Sequence, residues 1–110
     1  MRHFTAAQLQ AYLQSVADSN TPPPLLLDVR EPWEYERCHI ENSKLVPMRQ
    51  IPEYAEQLDP EEEIIVICHH GIRSRQVALY LESLDFTNLV NLTGGVEAWA
   101  QDVEPEMKRY

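Results

Sequence analysis

Residues Cys68-His69-His70-Gly71-Ile72-Arg73-Ser74 place a thiol, two imidazoles and a guanidinium around a glycine. The apolar run Ile64-Ile65-Val66-Ile67 precedes them and a helix-like pattern follows. A cysteine so placed sits at the carboxyl end of a buried strand, at the mouth of a loop that opens into a helix. Backbone N–H groups and the positive end of a helix dipole both stabilise an anion there, favouring thiolate over thiol. A sulfur nucleophile must also stay open to its substrate and tolerate a second negative charge. The loop N–H groups can converge on the sulfur as an anion nest. Gly71 allows positive φ without a steric penalty. Arg73 offers a planar donor fork suited to an oxyanion, and Arg75 adds charge nearby.

Plainer readings apply to several of these residues. A cysteine after an apolar strand is often only a small packing residue, but the polar His-His-Gly-Ile-Arg-Ser that follows is unsuited to a sealed core. Cys68, His69 and His70 do not make a convincing metal site, because three adjacent loop residues rarely converge on one ion and no fourth ligand is evident. The histidines are expected to supply loop backbone and rim, with a proton-carrying role open near neutral pH. Asp28 and Arg30 fit a capping and ion-pair role at a strand end. Trp33 and Trp99 read as core or pocket wall.

Composition sets limits on the whole. A chain of 110 residues suffices for one domain, and 44% hydrophobic residues is ordinary for a globular protein. Eighteen acidic residues against nine basic ones give a formal charge of −9, which argues against nucleic acid and against anionic membranes as partners. The basic loop reverses that sign locally and would focus an anion. Two cysteines, Cys38 and Cys68, are too few for a disulfide scaffold, and a chain this size does not need a bridge between them. No apolar run approaches a membrane span, and Met1-Arg2-His3-Phe4 lacks the apolar core of a signal peptide. The expected compartment is a reducing cytoplasm.

The elements that must position the loop alternate along the chain. Thr5 and Gln8 read as a capping box before Leu9, Leu13 and Val16, predicting a helix over about 6–18. Pro22-Pro23-Pro24 ends it, and Leu25-Leu26-Leu27-Asp28-Val29 reads as a buried strand. A short helical turn is expected over Glu31-Pro32-Trp33-Glu34-Tyr35, a short strand over Lys44-Leu45-Val46-Pro47, and a helix face at Ile51, Tyr54 or Ala55, and Leu58. After the strand Ile64 to Ile67, Val77, Leu81 and Leu84 mark a helix. Leu89-Val90-Asn91-Leu92 marks a strand, and Gly94-Gly95 turns into a helix carrying Val96, Trp99 and Ala100. One domain over 1–110 is expected, with its core at about 4–100 and a polar tail, 101–110, that frays. Alternating strands and helices imply a mostly parallel sheet covered on both faces, with sites beyond the carboxyl ends of its strands.

Taken together, Leu26 to Tyr35, His39-Ile40, Ile64 to Ser74 and Leu92-Thr93-Gly94-Gly95-Val96-Glu97-Ala98-Trp99 resemble a single-domain rhodanese-like sulfurtransferase of the thiosulfate sulfurtransferase type. The pieces are weak singly, and specific in their order and spacing. The resemblance runs from about Phe4 to Ala100. It implies an α/β rhodanese-like fold with a central five-stranded sheet and helices on both faces. It also implies that Cys68 takes the outer sulfur of a small anion such as thiosulfate, becomes a persulfide, and yields that sulfur to cyanide or a thiol. Ping-pong kinetics then follow. His69, His70, Gly71, Ile72, Arg73 and Ser74 would bind substrate and persulfide, with Arg73 holding the anionic donor. No metal and no organic cofactor is implied.

Loop length separates relatives. Cys68 through Arg73 is a six-residue loop, which in this superfamily goes with sulfur transfer, whereas a related phosphatase group uses a loop one residue longer. Phosphatase or arsenate reductase chemistry is therefore disfavoured, and the intact Cys68 and Arg73 weigh against a silent binding module. A persulfide carrier in a protein relay, with a protein persulfide partner, remains the main alternative. The chain departs from its relatives at Cys38-His39-Ile40, where many have Gly-His-Ile, and the stretch Glu41-Asn42-Ser43-Lys44 lacks the usual Pro-Gly-Ala. That leaves the local turn open. Cys38 reads as a packing residue, with a resolving-thiol role as the alternative.

Overall fold

The computed structural model describes all 110 residues. Five strands form one sheet in the order β1-β5-β4-β2-β3: β1 Arg2–Phe4, β2 Leu25–Asp28, β3 Lys44–Leu45, β4 Ile64–Ile67 and β5 Leu89–Leu92. Every neighbouring pair is parallel, so the expected mostly parallel sheet is wholly parallel. The helices are α1 Ala6–Asp18, α2 Pro32–Arg37, α3 Ile51–Tyr54, α4 Ile72–Ser83 and α5 Gly95–Asp102, with short 3₁₀ turns on either side of α3.

A strand's side chains alternate between faces, and the alternation divides the core in two. Leu27, Ile64, Val66, Cys68 and Leu89 join Val77, Ala78 and Leu81 of α4 and Ile51 of α3. On the opposite face, Leu26, Ile65, Ile67, Val90 and Leu92 join Ala6 and Leu9 of α1 and Val96 and Trp99 of α5. All four side chains of β4 are fully buried. Each such residue contributes about 1.5–3 kcal/mol relative to exposure, which explains why a continuous apolar run marks the central strand.

Local signals explain the element ends. The Thr5–Gln8 capping box forms as the spacing requires, with the Gln8 N–H donating to Thr5 Oγ1 at 3.2 Å and the Thr5 N–H to Gln8 Oε1 at 2.9 Å. In the unusual 38–43 turn, Asn42 takes the left-handed conformation (φ 69°), which asparagine tolerates better than most residues. The Ser43 hydroxyl closes the turn on the Ile40 carbonyl at 2.6 Å.

Four expectations need correction. Arg2–Phe4 forms the edge strand β1, unmarked in the sequence because only Phe4 of its three residues is apolar. Leu84 caps the end of α4 and points outward; Ala78 takes its place in the core. Trp33 is 60% exposed and so is not a core residue. The tail, expected to be loose, is packed against the domain. The Val103 and Glu104 N–H groups both donate to the Trp99 carbonyl at 2.9 Å, and Val103, Met107 and Tyr110 pack against the α1/α5 cluster.

The register aligns the carboxyl ends of β2, β4 and β5, so the segments after Asp28, Ile67 and Leu92 meet at one edge. Two charges are sealed beneath that edge. Arg30 Nη2 donates to Asp28 Oδ2 at 2.7 Å and to the Cys38 carbonyl at 2.7 Å, and both charged side chains are fully buried. Burial acts most strongly against the Arg30 charge, but Asp28 and the Tyr110 hydroxyl together outweigh it, raising its pKa further above the usual arginine range. Removing one partner strands the other charge in the interior. Asp28→Ala is therefore expected to lower unfolding free energy by about 3–5 kcal/mol, measured by urea denaturation.

Candidate active site

Cys68 begins the segment that joins β4 to α4 and is 1% exposed. Its sulfur is ringed by donors from the start of that helix. The Gly71 N–H donates to Sγ at 3.1 Å and the Ser74 N–H at 3.3 Å, while the Ser74 hydroxyl, whose own proton goes to Asn91, accepts from the thiol at 3.3 Å. The first N–H groups of a helix have no carbonyl of their own helix to bond, and here they meet sulfur. Gly71 makes the tight return possible with φ 96°, and a Cβ there would stand 3.1 Å from the Gly94 nitrogen.

A second helix end holds the loop from behind. The Val96 N–H donates to the Cys68 carbonyl at 2.9 Å, and the Glu97 N–H to the His69 carbonyl at 3.1 Å. These carbonyls are thereby committed to α5. In trans peptides the N–H groups of His69 and His70 then point away from α5. The approach depends on Gly95. It has φ 58°, and a Cβ on it would fall 2.4 Å from both the Cys68 and His69 carbonyl oxygens.

Sequence reasoning missed two polar supports. Buried Asn91 of β5 accepts from the Ser74 hydroxyl at 2.5 Å and donates to the Gly71 carbonyl at 3.4 Å. An asparagine inside Leu89-Val90-Asn91-Leu92 was a usable signal, since a buried amide needs partners. Glu34 of α2 accepts from Arg73 Nη1 at 3.0 Å and is itself buried. Burial opposes the Arg73 charge, and the hydrogen bond and charge of Glu34 prevail, so Arg73 stays cationic. Glu34 is the one hydrogen-bond partner of that guanidinium, which leaves further donors for an anion.

The remaining expected residues occupy the rim. Ile72 is 68% exposed, and His70 is exposed. His69 is half-buried and stacks on His70 with centroids 3.9 Å apart. Burial, and then the neighbouring His70, lower the pKa of His69, which favours a neutral imidazole. No three His, Cys, Asp or Glu side chains converge closely enough to hold a metal ion. Cys38 and Cys68 are both free thiols and lie in core clusters on opposite faces of the sheet. Cys38 packs as a core residue, and that separation disfavours it as a resolving thiol.

The site thus combines a recessed sulfur at the N-terminus of α4, a second helix N-terminus bonded to the carbonyls behind it, and an arginine at the end of the loop. The profile of the rhodanese-like domain matches residues 5–102. The chain belongs to the rhodanese-like domain family. It is 39% identical over 75 residues to thiosulfate sulfurtransferase GlpE of Coxiella burnetii, covering 68% of this chain and 70% of that one. It is 32% identical over 96 residues to the putative sulfur carrier protein YrkF of Bacillus subtilis, covering 87% of this chain and 51% of that one. It is 39% identical over 89 residues to the chloroplastic rhodanese-like/PpiC domain-containing protein 12 of Arabidopsis thaliana, covering 77% of this chain but only 30% of that longer protein. The crystal structure of a rhodanese-like domain protein from Staphylococcus aureus superposes with a TM-score of 0.81 at 29% identity, covering 100% of this chain and 99% of that one.

Gly95→Ala tests the support behind the loop. The added methyl must displace the Cys68 and His69 carbonyls, and the strained φ adds to the penalty. A loss of about 2–4 kcal/mol in urea denaturation is expected. In amide NMR spectra, shifts should concentrate at His69–Gly71 and leave β1 unchanged.

Proposed function

We propose that this protein is a sulfurtransferase that moves a sulfane sulfur from thiosulfate or a similar small anion to a thiophilic acceptor through a persulfide on Cys68. The observation that carries the reading is the Cys68 sulfur held 3.1 and 3.3 Å from the Gly71 and Ser74 N–H groups, in a loop closed by Arg73. Family membership and relatives named sulfurtransferase and sulfur carrier support the same reading.

In the first step the Cys68 thiolate attacks the outer sulfur of thiosulfate. A bond forms between the two sulfurs, the sulfur–sulfur bond of thiosulfate breaks, and sulfite leaves with the electron pair. The negative charge passes to the terminal sulfur of the persulfide. The loop N–H groups from His69 to Ser74 offer fixed dipoles to that charge without reorganising, and Arg73 holds the incoming anion. In the second step cyanide, or a thiolate, attacks the terminal sulfur, and the Cys68 thiolate is released. Thiocyanate or an acceptor persulfide is the product. Atoms and charge balance with no external oxidant, and no metal or organic cofactor is required. Two free cysteines suit a reducing compartment such as the cytoplasm.

A second reading has one specific observation in its favour. Ile72 and Trp33 are exposed apolar side chains, on the loop and on α2. Apolar side chains in such positions suit a protein surface better than a small anion. This favours a relay in which a protein persulfide is donor or acceptor, with the same Cys68 chemistry.

Incubation with thiosulfate should add the mass of one sulfur to the intact protein. Cyanide should remove it, and Cys68→Ser should prevent it. No gain from thiosulfate or any other sulfane donor would overturn both readings. Arg73→Ala is expected to raise the KM for thiosulfate about tenfold or more, the loss of one charge-assisted contact. Some fall in melting temperature is expected as well, because the buried Glu34 carboxylate loses its counter-charge, so KM is read well below the melting midpoint. Unchanged donor kinetics would remove Arg73 from the mechanism.

A further inference from the structure

The docked tail brings an aromatic residue to the candidate site. The Tyr110 ring stacks on His69 with centroids 3.9 Å apart and an interplanar angle of 16°. On its other side it meets Trp33 edge-on at 5.5 Å. Its hydroxyl accepts from Arg30 Nη1 at 2.8 Å, so a fully buried cation grips the phenol. Adjacent Arg109 forms a two-point ion pair with Glu97 of α5, at 3.0 and 2.7 Å. Arg37 of α2 donates to the Arg109 carbonyl at 3.3 Å. Tyr110, His69, Cys38 and Val96 line a cleft with no room for a water. The tail thus ties α2, the loop and α5 together.

We propose that Tyr110 is a positioning residue of the sulfur-transfer site, a wall that stacks on the His69 ring, fixes it at the rim and keeps water from one of its faces, and so sets how anionic donors are received. The proposal rests on the sulfur-transfer reading for its kinetic part and on geometry alone for the position of His69. Stacking by Tyr110 removes water from one face of the imidazole, and desolvation disfavours the cation. The charged and titratable groups facing His69 are His70 of the loop, Glu97 of α5, Glu34 of α2 and Arg30 after β2, with Lys108 and Arg109 of the tail beside them. The carboxylates would draw a proton onto an open imidazole. With the tail docked, burial and the neighbouring cations oppose them. Loss of the Tyr110 ring then lets His69 gain a proton as pH falls through the ordinary histidine range, near 6.5. A new cation next to Cys68 should attract thiosulfate.

The test uses the full chain and the variants Tyr110→Ala and Tyr110→Phe. The His69 ring is titrated by proton NMR, assigned by its disappearance in His69→Gln. Tyr110→Ala is expected to move the His69 midpoint upward toward the ordinary value, and Tyr110→Phe, which keeps the stack, should leave it near the parent. In parallel, thiosulfate KM is measured at pH 6 and pH 8. The ratio KM(pH 8)/KM(pH 6) should rise about threefold in Tyr110→Ala relative to the parent, with kcat nearly unchanged. An unchanged His69 midpoint in Tyr110→Ala overturns the proposal, as does a shifted midpoint with an unchanged KM ratio. If the parent accepts no sulfur from any donor, the sulfur-transfer reading fails, while the NMR titration still decides whether Tyr110 controls His69. If Tyr110→Ala does not fold, Tyr110→Asn, whose small polar side chain lets water reach the imidazole face, takes its place with the same expected direction of shift.

Discussion

The α5 N-terminus against the backbone of Cys68 and His69 is the contact on which the rest of the site depends. Two N–H groups take up two carbonyls, and a glycine without a Cβ lets the chains touch. A buried loop would otherwise carry unpaired carbonyls, each a penalty of roughly 1–3 kcal/mol. Once those carbonyls are committed to one side, the trans peptide plane sends the following N–H groups to the other. The donor-rich character of the loop therefore originates outside it, in a helix that begins more than twenty residues later. The Cys68 sulfur meets the amino end of α4 while its own carbonyl meets the amino end of α5. Two helix dipoles act on one residue from opposite sides.

Around that contact, polar groups are paired in a closed set. Asn91 joins the Ser74 hydroxyl to the Gly71 carbonyl and so supports the donors from beneath. Glu34 holds Arg73 in place. Arg30, paired with Asp28, reaches the Cys38 carbonyl and the Tyr110 hydroxyl. No buried side-chain nitrogen or oxygen is left without a partner. Such networks rigidify a site when complete and are costly when broken. Arginine suits the buried position because its donors are arranged in a fixed fork and it does not surrender its proton.

Much of this was legible in the sequence, for identifiable reasons. The Ile64–Ile67 run allowed no other placement than a central strand, which located Cys68 at its end. The Thr5–Gln8 pair set the start of α1 to the residue, because a capping box is a local hydrogen-bond pattern. What escaped was non-local or weakly patterned. Arg2–Phe4 is an edge strand of three residues and has no periodicity to read. Glu34 lies 39 positions from Arg73 in the chain, and nothing local links them. The tail looked polar and free because its anchors are single residues: Tyr110, whose partner Arg30 is 80 positions away, and Arg109, which answers Glu97. Leu84 illustrates the reverse error, an apolar residue at helical spacing that falls one residue past the end of the helix.

The burial of Cys68 bears on which partner can be large. At 1% exposure the Cys68 sulfur is reachable only by an atom carried on a narrow group, and on the proposed chemistry the outer sulfur of a thiosulfate-like anion is such an atom. Persulfide formation changes the geometry. In the proposed persulfide the transferable sulfur stands about 2.05 Å from Sγ, one sulfur–sulfur bond away from the buried atom. An acceptor would then attack that outer sulfur and not the buried Sγ, and the exposed apolar side chains of Ile72 and Trp33 are available to a large partner. On the proposed chemistry the two half-reactions need not share a size limit. A tight nest around the thiolate can select a small anionic donor, while an acceptor as large as a protein thiol collects the sulfur at the rim.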